Sequence, residues 1–73
     1  MPKFYYYNVL SYAQNADSDE LILDLKQPSS GLHILGRVNL KDLGQVNLDK
    51  LMEGDYMLSA SIEEGQIKEW SVV

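Results

Sequence analysis

Apolar residues along this 73-residue chain recur mostly at every second position, the period of pleated strands. The clearest run is Glu20 to Gln27, where Leu21, Leu23 and Leu25 share one side and Asp24 and Lys26 share the other with Ile22. Ahead of it, Phe4 to Ala13 is rich in tyrosine and branched residues, which suit a half-buried pleated surface. Its two faces are Phe4, Tyr6, Asn8, Leu10, Tyr12 and Tyr5, Tyr7, Val9, Ser11. Both carry rings, so this strand is expected either to be covered on both sides or to offer an aromatic face to a partner. The polar stretch Gln14 to Asp19 ends it. Pro28-Ser29-Ser30-Gly31 has turn composition, because proline presets φ and glycine accepts positive φ. A third strand follows, with Leu32, Ile34 and Val38 facing one way and His33, Leu35 and Arg37 the other. Gly36 inside it predicts a bulge or a sharp bend. Strands two and three therefore read as a hairpin.

Between Val38 and Gly54 the period changes. Val38-Asn39-Leu40-Lys41-Asp42-Leu43-Gly44 is echoed by Val46-Asn47-Leu48-Asp49-Lys50-Leu51. In the second copy Asn47 is a competent N-cap, Leu48, Leu51 and Met52 form an apolar stripe, and Val46 and Leu51 occupy the positions of a hydrophobic staple. With Gly54 suited to a left-handed terminus, the spacing predicts a short helix over 48–53. The first copy reads as a single helical turn or as the end of strand three. Two further strands follow. In one, Tyr56, Leu58, Ala60 and Ile62 alternate with Met57, Ser59 and Ser61. The other, Ile67 to Val73, puts Lys68, Trp70 and Val72 on one face, and Glu63-Glu64-Gly65-Gln66 forms the hairpin connection between them.

Residues 1–73 thus read as a single mostly β domain, a small five-stranded antiparallel curled sheet or barrel with one short helix. The element order, strand-strand-strand-helix-strand-strand, is similar to that of the OB-fold, whose helix also falls between strands three and four. That likeness implies a barrel. An open sheet that completes its core by homodimerisation has the same element order. A chain of this length hides roughly 60% of its unfolded surface, and it has no cysteine to staple it, so apolar packing or a partner must supply the stability.

Charge narrows the choice of partner. Eleven acids against six bases leave a net charge of −5, which repels phosphate backbones and anionic membrane surfaces. The amino-terminal stretch has no long apolar segment followed by a small-residue cleavage site, and nowhere do roughly 18 apolar residues run together. A cytoplasmic setting, in the source cell or a host cell, is the expectation.

Residues able to carry chemistry are scarce. One histidine, His33, and no cysteine are present, and none of the seven serines sits in a G-x-S-x-G elbow. An enzyme is not expected, and neither is a cofactor. Asn15, Asp17 and Asp19, with Glu20 beside them, alternate like the opening of a calcium loop. Ser18 stands near the place of the turn glycine, and no glutamate closes the loop at its twelfth position, so no metal is assigned. The glycines at 31, 36, 44, 54 and 65 match neither Walker nor dinucleotide spacing.

Recognition remains. The five tyrosines and one tryptophan exceed what so small a core can hide, and such rings are favoured at interfaces. Tyr5, Tyr7 and Trp70 are the candidate exposed anchors. Asp17, Asp19, Glu20, Glu63, Glu64 and Glu69 are the candidate source of a negative field. Together they describe a non-enzymatic acidic module that binds another protein with a basic surface. In size and charge such a module resembles the inhibitor and accessory proteins of phages and mobile elements, which act by occlusion. The alternative is an OB-like single-strand nucleic-acid binder, with bases stacked on Tyr5 and Tyr7 and phosphates met by Lys3, Arg37 and Lys68.

Overall fold

In the computed structural model, which describes residues 2–73, the alternating segments become five strands: β1 (Tyr5–Gln14), β2 (Glu20–Lys26), β3 (His33–Asn39), β4 (Leu58–Glu63) and β5 (Gln66–Val72). Two helices, α1 (Leu40–Leu43) and α2 (Gln45–Glu53), lie between β3 and β4. The strands close into a barrel in the order β1-β2-β3-β5-β4 within one chain, an OB-like arrangement. Every contact is antiparallel except β3 with β5, which meet in parallel at the single pair Arg37–Gln66.

Closure depends on β1. Its first part pairs with β4, Tyr5 to Ala60 and Tyr7 to Leu58, and its second part pairs with β2 from Asn8 to Gln14. Between Val9 and Ser11 the register shifts at a bulge, which bends the strand from one side of the barrel to the other. The bulge also reverses which faces share a side: Val9 pairs with Leu25, but beyond it Tyr12 pairs with Leu23. The two faces expected for this strand are therefore correct only as far as Leu10.

The alternation in β2 is borne out. Leu21, Leu23 and Leu25 are fully buried, each worth about 1.5–3 kcal/mol of hydrophobic transfer. Together with Leu43, Leu48, Leu51 and Leu58 they are the largest fully buried side chains, and Tyr7, Val9, Val38, Ala60 and Ile67 complete the core. In β4 a second register shift, between Ser61 and Ile62, turns Ser61 inward next to Ala60 and leaves Ile62 half-buried, against simple alternation.

Gly36 makes no bulge. The β2–β3 register runs unbroken from Glu20–Asn39 to Lys26–His33, with Gly36 opposite Leu23. The reason for glycine is proximity: a Cβ there would stand 3.0 Å from Ile67 Cγ1 and 3.1 Å from Leu25 Cδ1.

The helical region also departs from expectation. Helix α2 starts at Gln45, not at 48, and Asn47 lies inside it without capping it. The cap role falls to the first copy of the repeat, where Asn39 Oδ1 accepts from the Lys41 amide at 2.8 Å. Asn47 instead donates from Nδ2 to the Leu43 carbonyl at 2.7 Å, satisfying the end of α1. Val46 is 69% exposed, so no staple forms. Burial of Leu43 accounts for the difference, since it holds α1 against the core and Gly44, at φ 86°, then redirects the chain into α2. Gly54 takes the left-handed terminus as expected, and its N–H donates to Leu51 O.

Two substitutions check these placements by denaturant unfolding. Gly36→Val is expected to destabilise by about 1–3 kcal/mol through collision with Ile67 and Leu25. Glu64, at φ 52° ahead of Gly65 at φ 77°, occupies a hairpin position that favours asparagine or glycine, so Glu64→Asn is expected to stabilise by about 1 kcal/mol.

Candidate recognition surface

The outer face of β2 and β3 is built by alternation, with every residue that the core rejects turned to solvent. Across the two strands the outward pairs are Glu20–Asn39, Ile22–Arg37, Asp24–Leu35 and Lys26–His33, and β1 extends the same rows with Ala13, Ser11 and Asn8. In OB-like barrels this face, with the β1–β2 and β4–β5 loops at its margins, is where ligands are engaged.

The β1–β2 loop is pinned to α1 and the β4–β5 loop to β3. The β1–β2 loop is shaped by Ser18, whose amide donates to Asn15 O and whose hydroxyl accepts from the Glu20 amide. It joins α1 where the Leu40 amide donates to Asp19 O at 2.7 Å and Lys41 Nζ stands 3.3 Å from Asp19 Oδ2. On the other side the Arg37 amide donates to Gly65 O at 2.8 Å, and its guanidinium Nη2 donates to Glu64 O at 3.3 Å. Asp17, Asp19 and Glu20 thus border the outer half of β3 on one flank and Glu63 and Glu64 border it on the other. Glu69, on β5 opposite Ser61, lies outside that cluster.

The aromatic expectations need revision. Tyr7 is only 3% exposed and belongs to the core, because its pairing with Leu58 turns it inward; it is not an exposed anchor. Trp70 is half-buried, packed against the core beside Ala60. Tyr5 is exposed, since it follows the inward face to the mouth of the barrel, where the walls end. Among the exposed rings outside the expected anchors are Phe4, and Tyr6, which is 60% exposed. With Tyr5, Gln27, Pro28 and Met57 they line an apolar groove of about 490 Å³. Leu35, on the outer face, is another exposed apolar residue missed. For Tyr6 a signal was available, because it shares a face with the polar Asn8.

His33 Nδ1 lies 3.6 Å from Asp24 Oδ1 with both side chains open to solvent. Among the described residues, no three histidines or acids stand together as metal ligands, and no helix is long and apolar enough to cross a membrane. No protein-family model matches the chain, and no curated protein or solved structure matches it either.

The two tyrosines separate cleanly by experiment. Tyr7→Ala is expected to cost about 3–5 kcal/mol of unfolding free energy, the range for removing a buried ring, whereas Tyr6→Ala is expected to leave the denaturation midpoint nearly unchanged.

Proposed function

We propose that this chain is a non-enzymatic acidic binding module that docks a basic protein surface and acts, as an inhibitor or accessory factor, by covering it. The observation that carries this reading is the gathering of two acidic loops at the Arg37–Asn39 end of the β2–β3 face. Five carboxylates (Asp17, Asp19, Glu20, Glu63 and Glu64) border it, and Asp24 lies on it. Arg37 and Lys26 also lie on this face; Arg37 donates to the Glu64 carbonyl, and Lys41 beside it pairs with Asp19. A polyanion laid along this face would meet these carboxylates within a Debye length of about 8 Å, which disfavours the single-strand nucleic-acid alternative. A basic surface would gain where a phosphate chain loses.

The conformation of Glu64 supports the same reading. A carboxylate occupies a left-handed position where glycine or asparagine costs less, so the loop tip carries charge at the expense of stability. Tyr5, which lines one cavity with Glu63 and Glu64 and a second, apolar groove with Phe4 and Tyr6, supplies an aromatic anchor beside the acidic hairpin. Against catalysis stands the exposure of His33 and Asp24, which water reaches freely.

A lysine-rich peptide, titrated by fluorescence anisotropy, is expected to bind at low salt and to weaken by about tenfold or more as salt rises. The double variant Glu63→Gln/Glu64→Gln is expected to lower that affinity several-fold without loss of fold. A labelled single-stranded oligonucleotide is expected not to bind. Saturable oligonucleotide binding, or peptide binding indifferent to salt, would refute the assignment.

A further inference from the structure

The barrel is not equally closed all round. β3 pairs with β2 along its whole length, but on its other side it meets β5 only at Arg37–Gln66. The Arg37 amide points to that second side, where it donates to Gly65 O. Backbone direction alternates along a strand, so Leu35 and His33 turn their N–H and C=O groups the same way. Neither has a strand partner there among the described residues. Beside this free edge the mouth of the barrel opens into a cavity of about 460 Å³, whose lining includes the apolar Tyr5, Tyr7, Ile34 and Ile62 and the charged Lys3, Glu63 and Glu64.

We propose that the free edge of β3 takes up an extended basic segment of the partner as an added strand. The edge supplies main-chain hydrogen bonds through Leu35 and His33. Alternate apolar side chains of the segment enter the cavity, and the basic ones between them stay at the rim with Glu63 and Glu64. This rests on the acidic-module reading for the charge of the partner. A second copy of the chain is the disfavoured occupant, because it would bring its own Glu63, Glu64 and net charge of −5 against the same rim. The cavity is at the lower end of ligand-site volumes, roughly 300–1,000 Å³, which suits one or two side chains of a strand.

The test uses the full chain and a heptapeptide of alternating lysine and valine, with two N-methylated forms that block the amides of one strand edge or the other. Saturation with the parent peptide is expected to slow amide hydrogen exchange at Leu35 by about tenfold. One methylated form is expected to lose binding and the other to keep it. Equal binding of all three peptides, no binding of the parent, or unchanged Leu35 exchange at saturation would overturn the proposal. Leu35 protection that grows with chain concentration in the absence of peptide would also overturn it, in favour of a dimer. A random-coil polylysine separates the two levels. If it binds in a salt-sensitive way while the heptapeptide does not, the acidic module stands and the added strand falls. If neither binds, both fall.

Discussion

Five strands can close around a leucine core only if one strand belongs to both walls, and in this molecule β1 does so. Tyr5 to Tyr7 hydrogen-bond to β4 and Asn8 to Gln14 to β2, with the bulge at Leu10 making the bend between them. Without that bend β1 could pair with β2 or β4 but not with both, and β4 and β5 would separate from the β1–β2–β3 sheet. Leu43, Leu48 and Leu51 add the burial that α1 and α2 contribute to the same core. In so short a chain, with no disulfide, stability rests on this closure and on the leucine core that it completes.

Closure decides what is left for recognition. Once alternation has sent Leu21, Leu23 and Leu25 inward, their neighbours must form the outer face, and the loops bounding that face are held by main-chain bonds donated by Leu40 to Asp19 and by Arg37 to Gly65. Carboxylates on those loops therefore sit on anchored backbone. β3 before Arg37, where closure is thin, lies beside the same acidic hairpin.

The residues misread from sequence have a common cause. Tyr12 and Ser61 were assigned to the wrong faces because each lies just past or at a register shift, and an extra unpaired residue leaves no mark in composition. Tyr7 and Tyr6 are chemically alike, and their opposite faces, shown by their partners Leu58 and Ser59, separate core from surface. Asn39 and Asn47 are equally able to cap a helix. Which one does so depends on where Leu43 must be buried, a non-local demand. Gly36 signalled a special backbone position correctly but for the wrong reason, since the constraint is Ile67 reaching it from β5.

The amino-acid order by itself determined the local matters: five pleated segments, a helical stretch before Gly54, turns at Pro28 to Gly31 and Glu63 to Gln66, and an acidic chain poor in catalytic groups. These follow from side-chain period, turn chemistry and charge, each set by a few neighbouring residues. Only the tertiary structure decided that the sheet closes in a single chain, that Tyr7 is interior while Phe4 and Tyr6 are not, and that acids distant in sequence flank one face. Those outcomes depend on strand register and on bulges that shift it by one residue. Such a shift moves a side chain from one face of the sheet to the other without changing the local pattern from which the strand is read.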